Sequence, residues 1–216
     1  MLKALIKKEF ALTAHPMTYF MAFFGVMLLI PNYPYYVSFF YTTLGLFFAF
    51  MSGRENRDLY FSVILPVTKN DIVTAKTLFV YMVETVSVIF AVPFAFITNK
   101  INPNGGNAVG IEANVAFFGF SLIMLGIFNL IFLLSYFRTP YKVGKAYLIS
   151  SIFMFIYIGI LEALVHFPVI GEYLDTAEYG KMLSQLPILI IGILFYVLSG
   201  VIIIRNGTKR FEHTDL

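Results

Sequence analysis

Six long apolar stretches constrain the fold of this chain more than any other feature of its sequence. An α-helix crosses the hydrocarbon core of a bilayer with roughly 20 mostly apolar residues, because each residue adds about 1.5 Å along the axis. With 59% hydrophobic and 12% charged residues, the composition is much more apolar than that of a soluble domain. We therefore predict an all-α membrane protein with six transmembrane helices, at residues 17–30, 35–52, 78–98, 115–136, 146–167 and 182–204.

Prolines stand on both sides of the first predicted span. It is short for a full crossing unless residues 13–16 belong to it. Pro31 and Pro34 then leave only a tight turn before the second span.

Lys and Arg residues are unequally divided between the two faces that six spans would create. Positively charged segments remain on the cytoplasmic side of a membrane. Of the 15 Lys and Arg residues, all but Lys100 and Lys181 fall on the face that holds both termini. We therefore predict a multi-pass protein of the cell (plasma) membrane with both termini in the cytoplasm. The same division explains the net charge of +3 without a nucleic-acid partner.

Residues 1–15 precede the first predicted span and show an amphipathic pattern at helical spacing. Its apolar side holds Leu2, Leu5, Ile6 and Phe10, and its basic side holds Lys3, Lys7 and Lys8. This pattern predicts a helix lying in the cytoplasmic membrane interface, with its basic side toward anionic lipid head groups. The alternative is an ordinary positively charged flank of the first span.

The polar segment 53–76, between the second and third spans, has an unexpectedly apolar centre at residues 59–65. Its first part extends the second span, and there Arg54 and Asp58 have the i, i+4 spacing at which they can pair. Pro66 stops the apolar run. Thr68 can cap a new helix, with Asp71 at the third helical position. We predict a helix, a break, a short apolar element, a second break and a helix that continues into the third span.

No catalytic or nucleotide-binding motif is present in the sequence. The chain has no cysteine, which excludes disulfides, thiolate metal sites and cysteine nucleophiles. It also lacks a phosphate-binding loop ending in Gly-Lys-Ser/Thr, a helical pair of zinc-binding histidines and a Gly-x-Ser-x-Gly turn. We therefore expect no enzyme activity, no metal and no directly bound cofactor, so an energy-driven function would require a separate ATPase.

Two acidic residues lie inside predicted spans, where a carboxylate is costly and often functional. Glu84 can form a hydrogen bond to a neighbouring helix or, alternatively, relay a proton. Glu162 and His166 share one helical face at i, i+4 spacing, so they can pair or contact a cation. Since a metal normally needs three or four ligands, a transport path or an interhelical polar contact is the favoured interpretation for these residues. The alternative is a water-filled vestibule near the outer membrane surface.

In its layout over nearly the whole chain, and in a motif within segment 53–76, the protein resembles the permease subunits of ABC-2 type exporters, in particular the small bacterial ones. The resemblance rests on six spans with an amphipathic N-terminal helix, and on a motif of an acid, Leu-Pro-Val/Ile, a basic residue and a later Lys. The matching residues are Glu55, Asp58, Leu65, Pro66, Val67, Lys69, Asp71, Ile72 and Lys76. The chain departs from some members in its high Tyr and Phe content and in having no large extracellular domain.

The resemblance implies a single transmembrane domain over residues 1–216, with an interfacial helix at 1–15 and a cytoplasmic coupling segment at 53–76. In such permeases a coupling helix between spans two and three docks on a separate ABC ATPase, which binds ATP and Mg²⁺. The implied coupling residues are Glu55, Arg57, Asp58, Leu59, Tyr60, Leu65, Pro66 and Lys69. A second permease copy or a paralogue would complete the dimer.

The implied function is ATP-driven export of an amphipathic or hydrophobic substrate, such as a peptide, an antibiotic or a lipid. In size and layout the chain is similar to the phenol-soluble modulin exporter permeases. Two alternative classes remain open from the sequence. One is the substrate-binding membrane component of a vitamin-uptake ABC system, and the other is a glutamate-dependent intramembrane protease.

Overall fold

The computed structural model describes residues 1–101, 107, 109–167, 171, 174–175 and 183–214. These residues form helices and connecting segments, with no β-strand among them. The α-helices are α1 (Leu2–Lys8), α2 (Pro16–Ala22), α3 (Tyr36–Glu55), α4 (Asp58–Ile64), α5 (Lys69–Ile101), α6 (Val115–Arg138), α7 (Val143–Val165) and α8 (Leu186–Glu212). A π-helical turn at Glu9–Thr13 extends α1, and 3₁₀ turns lie at Phe24–Leu29 and Leu183–Gln185.

Five helical segments are long and apolar enough to cross a membrane by themselves. They are α3, α5, α6, α7 and the segment Leu183–Glu212. These segments and the helical content confirm the predicted all-α membrane protein. The predicted start of the last span at residue 182 lies outside the described residues.

The first predicted span, residues 17–30, is separated from the helix before it by a sharp bend. Leu2–Thr13 and Pro16–Leu29 meet at a 98° bend, and a sixth span exists only if this bent pair crosses the membrane together. Pro16 has no N–H to continue the preceding helix, and His15 adopts an extended conformation. The His15 ring nitrogen Nδ1 accepts a hydrogen bond from Met17 N at 3.1 Å, which caps α2 instead.

Helices α6 and α8 approach each other closely along small residues. A Cβ atom at Gly119 would lie 2.7 Å from the carbonyl oxygen of Ile188, and one at Gly192 would overlap the backbone of Gly119. Only glycine leaves room for this contact between helix backbones. The buried face of α6 also packs phenylalanine rings against α3, with Phe117 stacked on Phe39 at a centroid distance of 5.7 Å.

Helix α1 and the end of α8 lie at one end of the helix bundle, which we call the terminal face. Lys69, the first residue of α5, donates hydrogen bonds to the carbonyl oxygens of Phe211 and Glu212 at the end of α8, at 3.1 Å each. Helices α1 and α4 lie at the same end, because their side chains meet the first two turns of α5. The opposite face carries the described parts of the α5–α6 and α7–α8 connections.

Candidate functional site

A sharp chain reversal separates α3 from α4 on the terminal face. Helix α3 ends at Glu55, and Arg57 takes a left-handed backbone conformation with φ 53° and ψ 35°. Asp58 therefore begins a new helix, and the i, i+4 geometry assumed for Arg54 and Asp58 does not exist. The predicted pairing is wrong: Arg54 donates instead to the carbonyl oxygen of Tyr141 at 3.5 Å, while Asp58 contacts two lysines.

Four charged side chains close a ring beneath α4, which we call the ion ring: Lys8, Glu9, Asp58 and Lys76. Lys76 Nζ lies 2.6 Å from Asp58 Oδ2 and 2.8 Å from Glu9 Oε2. Lys8 Nζ lies 2.6 Å from Asp58 Oδ1 and 2.8 Å from Glu9 Oε1. Each ammonium thus bridges the same two carboxylates, and the ring carries no net charge.

The ion ring is almost completely removed from solvent. The side chains of Lys76 and Glu9 are each 1% exposed, whereas that of Lys8 is 9% exposed. Buried charges are tolerated when they are paired and further hydrogen-bonded. Lys8 Nζ also donates to Ser62 Oγ at 2.7 Å. Burial alone would raise the pKa of the Asp58 carboxyl, but the ammonium groups of Lys76 and Lys8 outweigh burial and lower that pKa.

The ion ring joins three elements that are distant in sequence. Lys8 and Glu9 lie where α1 passes into the π-helical turn, Asp58 begins α4, and Lys76 lies in the second turn of α5. Because of these contacts, α4 cannot move as a unit without breaking the ring or carrying α1 and α5 with it. Asp58 and Lys76 belong to the motif in segment 53–76, whereas their partners Lys8 and Glu9 lie about 50 residues or more away in the sequence and were not predicted.

One side of α4 is anchored, and the other is apolar and exposed. Leu59 is buried in the core at 7% exposure and therefore does not contribute to the exposed surface. The exposed side, which we call the α4 apolar face, consists of Tyr60, Phe61, Val63 and Ile64, with exposures from 39% to 83%. A cleft of about 230 Å³ lies beside it, lined by residues that include Arg54, Arg57, Tyr60 and Tyr141.

The remaining predicted coupling residues lie around the same helix. Glu55, Arg57 and Pro66 are exposed, whereas Leu65 and Lys69 are partly buried. Thr68 and Asp71 form the predicted cap of α5, since Asp71 N donates to Thr68 Oγ1 at 3.1 Å and Thr68 N donates to Asp71 Oδ2 at 3.1 Å. This reciprocal capping box fixes where α5 begins and confirms the predicted second break.

Glu84 is completely buried between α5, α6 and α8. Its Oε2 accepts hydrogen bonds from Asn129 Nδ2 and from the Tyr196 hydroxyl, both at 2.7 Å. The interhelical hydrogen bond favoured from the sequence is therefore present. The Oε1 atom of the same carboxyl group is buried without a hydrogen-bond partner.

Glu162 and His166 do not pair through their side chains. His166 Nδ1 lies 2.7 Å from the backbone oxygen of Glu162, whereas Glu162 Oε2 accepts a hydrogen bond from Ile111 N at 3.1 Å. The pair predicted from i, i+4 spacing is replaced by contacts to backbone atoms, because the α5–α6 connection presents its amide to the carboxylate.

Two further acids hold the opposite face together through backbone amides. Asp175 Oδ1 accepts from Glu112 N, and Glu112 Oε1 accepts from Asn107 N, both at 2.7 Å. Burial raises the pKa of the Glu112 carboxyl and that of Asp175, although these hydrogen bonds act in the opposite direction. Within the described part of the chain, no group of three or more His, Asp or Glu side chains could hold a metal ion.

The fold and the terminal-face site define a multi-pass helical membrane protein with an anchored, partly apolar helix outside its spans. The chain matches the family described as ABC-2 family transporter protein over residues 4–206, and it belongs to this family. It is thus a permease component of an ABC transporter, and members of the family are generally not themselves catalytic. No curated protein and no solved structure matches the chain at a significant level.

Membership in this family confirms the predicted resemblance to ABC-2 type permeases. It also argues against the two alternative classes, the vitamin-uptake component and the intramembrane protease. An ABC permease implies an ABC ATPase partner and a membrane environment.

Proposed function

We propose that this chain is the permease subunit of an ATP-driven exporter and that the α4 apolar face is its docking surface for a separate ATPase. The observation that carries the proposal is the combination of an exposed apolar face and a buried ionic anchor on one short helix. Exposed apolar residues concentrated on one helix outside the spans are costly in water, and a partner protein that covers them removes this cost.

The ion ring supplies the mechanical part of the proposal. Closure of two ATPase subunits on ATP and Mg²⁺ would move α4, and the ring would carry this movement to α1 and α5. Closure driven by ligand binding can act on a partner only through a surface whose position differs between the open and the closed state. In this scheme the terminal face is cytoplasmic, as the distribution of Lys and Arg predicts.

A second permease copy or a paralogue would complete the transport path in the membrane. The substrate would be amphipathic or hydrophobic, a peptide, an antibiotic or a lipid, and would move out of the cell. Glu84, Glu162 and His166 remain candidates for lining this path. ATP hydrolysis belongs to the ATPase subunits, and this chain would bind neither nucleotide nor metal itself.

The test is co-purification of the ATPase with Tyr60→Asp and Phe61→Asp variants of the full-length permease in the native membrane. Both side chains are about half exposed, so the substitutions leave the core and the ion ring intact. We expect loss of the ATPase and of ATP-dependent transport, with normal membrane insertion.

Tyr60→Phe keeps the apolar surface and should behave like the parent. Lys209→Asp, at an exposed position on α8, controls for added negative charge on the same face. Retention of the ATPase and of transport in both aspartate variants would refute the docking role of α4.

A further inference from the structure

A long groove runs along the membrane-spanning part of the bundle, between α5 and α8 with α6 as its floor. It has a volume of about 630 Å³, which is within the range of small-molecule binding sites. Its side walls include Ile89, Val92 and Phe96 of α5 and Ile193 and Val197 of α8. Because Ile89 is 64% exposed and Val197 57% exposed, the groove is open along the side that would face lipid.

Two tyrosines form the end of the groove nearer to the terminal face. The rings of Tyr81 and Tyr196 lie 4.4 Å apart, and both residues line the groove. The Tyr81 hydroxyl is hydrogen-bonded to Ser199 Oγ at 2.6 Å. At the other end the lining includes Asn99, about 27 Å further along α5 at 1.5 Å per residue. The groove is therefore long and apolar along its walls, with the tyrosine hydroxyls at one end and Asn99 at the other.

Glu84 lies directly behind this tyrosine end. It is fully buried, and the Tyr196 hydroxyl that donates to its Oε2 belongs to a residue lining the groove. Tyr81, Thr85 and Val88, three, one and four residues away on the same helix, also line it. Among the described residues, no Lys, Arg or His forms an ion pair with Glu84, and its Oε1 has no hydrogen-bond partner.

We propose that the groove binds a single-chain cationic amphiphile, with its alkyl chain along the apolar walls and its ammonium group against Tyr81 and Tyr196, in front of the buried Glu84. Charge complementarity favours this ligand. A buried carboxyl group without a cation is costly when ionised, and an incoming ammonium would supply the missing partner. Two tyrosine rings beside the carboxyl group favour the same ligand, since a cation is attracted to an aromatic face.

Other occupants fit these features less well. An uncharged lipid would fill the apolar walls but leave Glu84 without a partner. An anionic amphiphile would place a second negative charge beside a carboxyl group. The inference rests on the proposed transport function in one respect, since it names the chemical class of the substrate that the permease would carry.

The binding test uses the absence of tryptophan from the chain. Phe96→Trp places a single fluorophore in the groove, and Phe153→Trp places one at an exposed position on α7 as a control. Each full-length variant is reconstituted in nanodiscs of zwitterionic lipid. Dodecylamine and dodecanol, each brominated at the far end of the chain, are then titrated as contact quenchers.

We expect the amine to quench the groove tryptophan at a concentration about tenfold lower than the alcohol, as a charge-assisted contact implies. The tryptophan on α7 reports only the partitioning of each quencher into lipid, so the groove response to each quencher is compared with the α7 response to the same quencher. Glu84→Gln, added to Phe96→Trp, should abolish the preference for the amine and leave quenching by the alcohol unchanged. Glu84→Asp keeps the negative charge and should keep the preference.

Equal quenching by amine and alcohol in the groove would overturn the proposal, and so would an unchanged preference in Glu84→Gln. Unchanged alcohol quenching in Glu84→Gln shows that the groove is still folded. If Glu84→Gln is unstable, Glu84→Asp, which keeps the negative charge, still tests whether the preference for the amine follows that charge. The assay contains no ATPase, so its failure would leave the docking role of α4 untouched. Conversely, loss of that docking role would not alter the expected quenching.

Discussion

Lys76 and Glu84 lie on the same helix, about 12 Å apart along α5, and both are completely buried. Lys76 contacts two carboxylates, and the ion ring around it is neutral and complete. Glu84 contacts only an amide and a hydroxyl, and one of its oxygens has no hydrogen-bond partner. Burial alone therefore does not distinguish a structural charged residue from one that could bind a ligand. A satisfied ring stabilises the structure, whereas an uncompensated group leaves a place for a ligand.

The largest effect should come from removing one charge from the ion ring. Lys76→Met preserves much of the side-chain volume but leaves Glu9 and Asp58 buried, with only Lys8 to compensate them. Breaking a buried ion pair in this way costs about 3–5 kcal/mol. We expect the free energy of unfolding in detergent, measured by circular dichroism during chemical denaturation, to fall by that amount.

The matched control for this substitution is Lys76→Arg, which keeps the positive charge at the centre of the ring. Arg is larger and must fit a fully buried site, so we expect an intermediate loss of stability. A Lys76→Met protein as stable as the parent would show that the ring has no net stabilising role. The comparison with Glu84 would then lose its basis.

A much smaller effect is expected when the charge of Glu84 is removed. Glu84→Gln retains an oxygen that can accept from Asn129 and Tyr196, and it eliminates a buried carboxyl group that has no cation. The free energy of unfolding should therefore change by less than about 1 kcal/mol, in either direction. The same denaturation experiment measures it. A loss as large as that of Lys76→Met would mean that Glu84 is a structural residue as firmly held as the ring.

The sequence was sufficient to predict the features that depend on residues close together along the chain. The apolar stretches predicted α3, α5, α6 and α7 because a membrane span needs only a continuous run of such residues. Thr68 and Asp71 predicted the start of α5 because a capping box has a fixed spacing. The apolar run stopped at Pro66 predicted a short separate element, which is α4.

Features that depend on tertiary contacts were not predictable in the same way. Arg54 and Asp58 do not pair because Arg57 takes a left-handed conformation, for which arginine has no special preference. The partners of Asp58 come from residues near the N-terminus, and no local spacing relates them. Likewise, the 98° angle between Leu2–Thr13 and Pro16–Leu29 could not be predicted, because Pro16 marks where a helix can end but hydropathy does not give the direction of the next helix.

The smallest predicted effect is a difference in pH dependence between the two faces of the molecule. The pKa of Asp58 is lowered in the folded protein, so its contribution to stability is complete above about pH 4, the ordinary value for Asp, and is lost as the pH falls through the lowered value. The pKa values of Glu112 and Asp175 are raised, so their contribution is present at low pH and is lost as the pH rises through the raised values.

Mild acidification from pH 7 to about pH 5 should therefore strengthen the opposite face and leave the ion ring unchanged. Amide hydrogen exchange, corrected for its intrinsic pH dependence, should show greater protection at residues 109–114 and constant protection in α4. Loss of protection in α4 over this range would mean that Asp58 is not held ionised by its two lysines.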